Sequence, residues 1–426
     1  MVNELRTMLH DTVRVPPADG ADVRDILGAA RGRVRRRRAR AALGVAALAV
    51  CVGATPALVG ALGDLTGTTG GPAAGTPPVG PVMHVADATP AVEGRDYEVL
   101  TTLVNENLEI GNGKYFDGVT DDGRIVVQDG PHGIENRIRW GLLDPRKGTT
   151  HWLPETPDGA AHPEFLLQAT AERLVYLAEA RPGRLVTWTY DRAADRWEQR
   201  VLDVAATGMN WENSYLAGSR LGPGNRLYFG ITVGEGLEQS QLWSVPLDGE
   251  GGPAELRREA VVGDWDIDGD ELAFTEWTNR PSSIIHVRDL TTGEERSFDA
   301  QSGTRCNALG LNQVGARIVL AQFCGDTPDG RDDRVQIITT QGEPVVTLQD
   351  DGLDVESATD EFVTVRAYVK GASGAYAYEL DTGRFLRLGE GHVRYAGSGT
   401  GRDDVLVWST PVNRGNGMKI WAARFD

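Results

Sequence analysis

Residues 265–277 read WDIDGDELAFTEW, and this stretch decides the fold. An alternating segment runs into Gly269-Asp270, and an apolar run, Leu272–Phe274, follows. That is the pattern of two short strands joined by a tight turn. The arrangement recurs along the chain as GVTDDGRIVVQD (118–129), LQATAERLVYLAE (167–179), LAGSRLGPGNRLYFGI (216–231), LGLNQVGARIVLAQF (309–323), ESATDEFVTVRAY (356–368) and AGSGTGRDDVLVWST (396–410). The second strand of each is rich in Val, Ile, Leu, Phe and Tyr, the composition of a buried strand. A second set of hairpins alternates with the first: GLLDPRKGTTHWL (141–153), TYDRAADRWEQRVL (189–202), SVPLDGEGGPAELRRE (244–259), VRDLTTGEERSF (287–298), IITTQGEPVVTL (337–348) and AYELDTGRFLRL (377–388). Motifs such as Asp-x-x-x-Gly supply the side-chain cap and the positive-φ residue that such turns need.

A four-stranded unit repeated every 40–45 residues or so predicts an all-β propeller. Six complete units span about 113–390. A seventh has a first hairpin and a third strand, MKIWAARF (418–425), but no fourth. Ahead of the first unit stands DYEVLTTLV (96–104), strand-like and without a partner. Pairing the two closes the ring and removes two exposed sheet edges. The expectation is a seven-bladed β-propeller over 96–426 closed by its N-terminal strand, with six or eight blades left open because the unit at 204–259 is irregular.

These units resemble WD40-like and TolB-like propeller repeats, in architecture alone. The Gly-His and Trp-Asp dipeptides of true WD40 repeats are absent from their usual places, since Trp265-Asp266 opens a first strand. The resemblance therefore transfers no site residue. The whole layout resembles the membrane-anchored propeller proteins of high-GC bacteria.

That layout begins with a basic tail. Residues 1–40 hold ten of the 43 basic residues and five of the 61 acids, so the tail carries +5 and the remainder −23 of the chain's −18. Next comes AALGVAALAVCVGATPALVGALG (41–63), 23 residues without a charge. As a helix it measures roughly 34 Å, enough for a hydrocarbon core of about 30 Å. RGRVRRRRAR (31–40) directly precedes it, and Arg is retained on the cytoplasmic side. The expectation is one transmembrane helix, N-terminus inside, with the propeller on the extracytoplasmic side; a cleaved signal peptide is the alternative. Residues 1–40 form a cytosolic tail with short helices, and the Gly/Pro-rich residues 64–95 a linker. An acidic body repels nucleic acid.

Cys306 and Cys324 are equidistant from residue 315, inside the turn NQVGAR. Residues equidistant from a hairpin centre face each other, so a disulfide between them is expected. It also fits an oxidising compartment. Cys51 falls in the expected span.

Chemistry-bearing motifs are weak. DWDIDGDELAFT (264–275) imitates a calcium loop through Asp264, Asp266, Asp268 and Gly269, but Thr275 stands where the bidentate Glu belongs. GASGA (371–375) approaches a nucleophile elbow but ends in Ala375. The seven His match no metal-binding spacing, and the ten Trp fit packing between blades better than an exposed platform. No catalytic residue, cofactor site or metal site is assigned. The expected function is a non-enzymatic recognition or scaffold module for a protein, peptide or glycan. The alternatives are a transmembrane sensor whose tail binds a cytosolic regulator such as a sigma factor, and a hydrolase or lyase with a site at the propeller channel.

Overall fold

A computed structural model describes residues 80–426 except 107–112, 133–136, 157–162, 164, 182–183, 209–214, 234–238, 249–250, 257–261, 277–282, 301, 303–305, 328–329, 391–395, 399–401 and 426. The expected tail (1–40), span (41–63) and first part of the linker (64–79) lie outside the described residues. Among the described residues no helix is long and apolar enough to cross a membrane.

Seven separate sheets form, one for each predicted unit. Blade 1 is built from Lys114–Val119, Ile125–His132, Arg137–Asp144 and Thr149–Trp152. Blade 2 uses Phe165–Ala169, Arg173–Arg181, Arg184–Asp191 and Arg196–Asp203. Blade 3 uses Tyr215–Gly222, Arg226–Val233, Gln239–Pro246 and the short Ala254–Glu255, which accounts for its irregular sequence. Blade 4 comprises Val262–Asp268, Glu271–Glu276, Ile284–Asp289 and Glu295–Asp299. Blade 5 comprises Asn307–Val314, Arg317–Thr327, Gly330–Thr339 and Pro344–Asp350. Blade 6 comprises Leu353–Ala358, Phe362–Ala367, Gly374–Glu379 and Phe385–Glu390. Blade 7 takes Ala396–Ser398, Val405–Val412 and Gly417–Phe425 from the C-terminal end of the chain, and its fourth strand is Tyr97–Asn105. That strand runs antiparallel to Gly417–Phe425, from Tyr97 opposite Phe425 to Asn105 opposite Met418, so the ring closes as the sequence predicts.

The first strands of consecutive blades lie against one another and line the centre. In blades 1 to 6 the pairing of that strand carries a register shift, for example between Phe116 and Gly118 and between Ala308 and Gly310. Such bulges tighten the twist that each blade needs.

The cores explain the continuous apolar runs. Among the described residues there are seven buried clusters, one between each pair of neighbouring blades. Successive side chains on a strand point to opposite faces. In blade 1, Val126 packs towards blade 2, while Ile125 and Val127 pack towards blade 7. In blade 2, Leu174, Tyr176 and Ala178 face blade 1, while Val175 and Leu177 face blade 3. A second strand buried on both faces loses the polar alternation of a half-exposed sheet.

The third-to-fourth turns follow the predicted chemistry. Asp289 Oδ1 accepts from the Thr291 and Thr292 amides at 2.8 and 2.7 Å, and Gly293 takes φ +77°. Asp144 caps the equivalent turn of blade 1 and Gly148 closes it at φ +64°. In blade 2 the closing residue is Asp195, left-handed at φ +49° and therefore strained.

The linker reading of 64–95 requires correction over its described end. Val82–Met83 adds a parallel fifth strand to blade 5, and Thr89–Pro90 does the same on blade 6. Residues 80–96 are a strap along the outer rim. Two-residue strands carry no periodicity, so Gly/Pro composition alone misread them.

Candidate functional site

The chain order gives the disc two unlike faces. Turns between first and second strands, and between third and fourth, lie on one face and most are short, such as 269–270, 315–316 and 145–148, blade 3 having the longer 247–253. At the opposite face lie the strand ends from which the second-to-third connections and the crossings between blades leave.

Charges on the short-turn face join neighbouring blades. Arg192 of blade 2 forks onto Asp122 of blade 1, with contacts of 2.9 and 2.8 Å. Arg173 of blade 2 donates to Asn225, beside blade 3, at 3.1 Å. Arg317 of blade 5 reaches Asp381, beside blade 6, at 3.0 Å. Arg384 of blade 6 reaches Asp96 of the strap at 3.2 Å. The Arg192 fork holds the Asp122 carboxyl down at about 2.

At the centre, Asp266 joins three blades. Its Oδ1 accepts from Arg220 Nε of blade 3 at 2.5 Å, and its Oδ2 from the Gln313 amide of blade 5 at 3.1 Å. Asp266 is only 6% exposed, and burial pushes its carboxyl above the ordinary range against the pull of Arg220. Asp268 accepts from the Gly315 amide of blade 5 at 2.5 Å. Two carboxylates of the calcium-like stretch are thus engaged between blades. Among the described residues no group of three or more His, Cys, Asp or Glu is placed to hold a metal ion. Nearby, Asp360, Glu361 and Asp403 are raised by burial first and then by neighbouring carboxylates, Asp268 and Asp404 among them.

The predicted disulfide forms between Cys306 and Cys324, with Cα atoms 3.9 Å apart. The turn pairs Val314 with Arg317, a register that would set Cys324 opposite Asn307. The bulge between Ala308 and Gly310 shifts the pairing by one residue, so Asn307 faces Phe323 and the cysteines face each other. Beside the disulfide lies a buried polar network on the long-connection side of blade 5. Arg334 clasps Asp332 at 2.8 and 2.6 Å, with both side chains under 5% exposed. Gln349 also donates to Asp332, at 2.8 Å. Ser302 Oγ donates to Gln336 at 2.8 Å and accepts from Gln322 at 2.5 Å. This network had no local sequence signal, because its members come from four separate strands or connections.

The remaining candidates are dispersed. Ser373 of GASGA donates to the Val369 carbonyl at 3.0 Å. His84 touches the Gln349 carbonyl on the rim of blade 5. His151 of blade 1 contacts Asp195 and Tyr190 of blade 2 at 3.1 and 3.3 Å. His286 lies between Glu276 and Glu295 in blade 4. Trp140, Trp188, Trp243, Trp265 and Trp408 are buried between blades. Trp211 and Trp277 lie outside the described residues.

No family model and no curated protein matches the chain. Among solved structures it is similar to the β-propeller domain of Swd1 from Myceliophteria thermophila, at 14% identity and TM-score 0.42 over 76% of this chain and 99% of that one. It is similar to a prolyl endopeptidase, at 16% identity and TM-score 0.44 over 76% of this chain and 48% of that one. An acylaminoacyl peptidase from Pyrococcus horikoshii gives 11% identity and TM-score 0.44 over 73% and 56%. The chain spans about half the length of each peptidase. These likenesses concern the propeller fold and nothing finer.

Proposed function

We propose that this chain is a membrane-anchored, extracytoplasmic recognition module, a rigid disc that presents its long-connection face to a protein, peptide or glycan. The observation that carries the reading is the contrast between the two faces. Short turns and inter-blade pairs such as Arg192–Asp122 and Arg317–Asp381 occupy one face. The crossings between blades leave from the other, and connections carried on a fixed frame are where recognition residues collect. The uncharged run 41–63 behind its Arg cluster supports the anchor and its direction. The Cys306–Cys324 disulfide supports an oxidising surrounding. We assign the disc no catalytic role.

Crosslinking in native membranes, followed by capture of the full-length chain and mass spectrometry, tests the reading. The expected result is an extracytoplasmic protein or glycan crosslinked to residues on the long-connection face. Crosslinks confined to residues 1–40 and a cytosolic protein would replace it with the sensor reading. Protease added to intact spheroplasts tests the topology separately. It is expected to digest residues 96–426 and to spare the tail, and the reverse pattern would overturn the anchored orientation.

A further inference from the structure

The strap is held to the rim by three successive attachments. On blade 5, Val82 and Met83 pair with Thr347 and Leu348. There Val85 is buried among Val335, Leu348 and their neighbours, and its amide donates to Asp350 at 2.7 Å. On blade 6, Thr89 and Pro90 pair with Leu386 and Arg387, and the Ala91 amide donates to the Arg387 carbonyl at 3.0 Å. The third attachment is Asp96, whose side chain is 4% exposed. It accepts from Arg384 Nη1 at 3.2 Å, from Arg95 Nη2 at 2.7 Å and from the Val92 amide at 2.8 Å. Arg384 is itself held by Glu379, at 2.5 Å. The next residue, Tyr97, begins the strand that closes the ring.

The attachments differ in strength along the chain. Each strap strand pairs only two residues, whereas Tyr97–Asn105 pairs along its whole length. Short edge pairings open at lower free energy than long ones, and the half-buried Tyr97–Asn105 is held by its length. An opening that starts upstream meets the buried Asp96 carboxylate, charge-paired with the part-exposed Arg384, just before it reaches the closing strand. We propose that residues 80–96 form a latch that opens independently of the ring, with the Asp96–Arg384 pair as the bolt where that opening stops. Tension on the N-terminal tether is then borne by blades 5 and 6 and does not peel blade 7. That consequence rests on the anchored reading; the latch does not.

Native-state hydrogen exchange on the full-length chain tests the latch. In the unaltered protein, the Val85 and Ala91 amides are expected to exchange faster than the hydrogen-bonded amides of Tyr97–Asn105. In Asp96→Asn, protection of Tyr97–Asn105 is expected to fall by about tenfold or more, the scale of a lost charged hydrogen bond, while Arg226–Val233 is unchanged. Val85→Ala is the second variant. It should speed exchange in residues 81–91 and leave Tyr97–Asn105 as before. The proposal is overturned if strap and closing strand exchange as one unit in the unaltered protein, if Val85→Ala loosens both, or if Asp96→Asn leaves the closing strand fully protected.

Discussion

Removing the Cys306–Cys324 disulfide has a cost that follows from the chain it closes. The cysteines are 18 residues apart. In the loop-entropy description, a link of that span restricts the unfolded chain by about 3 kcal/mol at 25 °C. The side chains are 5% and 1% exposed, so a Cys306→Ala/Cys324→Ala variant also loses packing, roughly a further 1 kcal/mol. If residues 96–426, about 330 in number, unfold as one unit, the unfolding entropy is about 0.7 kcal/mol/K, so the double variant should melt about 4–6 °C lower. Calorimetry of the oxidised protein and the variant reads this directly, and urea midpoints at an unchanged slope give the same quantity. Ser302, whose carbonyl contacts Cys306 Sγ at 2.8 Å, links Gln336 and Gln322, so exchange in those strands should rise as well. A loss below about 1 kcal/mol by both measurements would refute the reasoning. So would thiol labelling of the unreduced, denatured protein at Cys306 or Cys324 rather than at Cys51 alone.

Other outcomes follow from the contacts between blades. Asp266→Ala leaves Arg220 and the Gln313 amide without their shared acceptor, and is expected to cost about 2–3 kcal/mol in urea unfolding, with Asp266→Asn nearer 1; a change under about 0.5 for Asp266→Ala would contradict its bridging role. Asp122 titrates at about 2, below its ordinary value, so its contribution is complete above about pH 4 and is lost as the pH falls through 2. Arg192→Met should therefore flatten the acid limb of the stability curve between those values, and an unaltered limb would exclude the pair as a contributor. A chain starting at residue 107 lacks Tyr97–Asn105 and exposes the edge of Gly417–Phe425. Light scattering should find it associating, while a chain starting at residue 80 stays monodisperse.

Local patterns carried much of this structure in the sequence. The repeated hairpins were legible because strand alternation and turn chemistry act within about a dozen residues. The closing strand was legible by subtraction, since one strand lacked a partner and one blade lacked a strand. The cysteine pairing was read from equidistance, which holds only because a bulge between Ala308 and Gly310 cancels the one-residue offset of the turn. A single sequence shows no signal for that bulge.

What the tertiary structure alone decided lies between elements distant in the chain. Asp96 and Arg384 are 288 residues apart, and Val85 and Asp350 are 265 apart. The strap's residues look like a linker because each of its strands is two residues long and obtains its hydrogen bonds from blades 5 and 6. The acids of 264–275 look like a metal loop until blades 3 and 5 bring Arg220 and the Gln313 and Gly315 amides to them. Sequence alone determined the repeated blade strands and favoured seven units, because those depend on neighbours along the chain, while the structure settled the irregular unit at 204–259 as one blade. Ring closure decided which charges meet and which edges are covered, because those depend on neighbours in space.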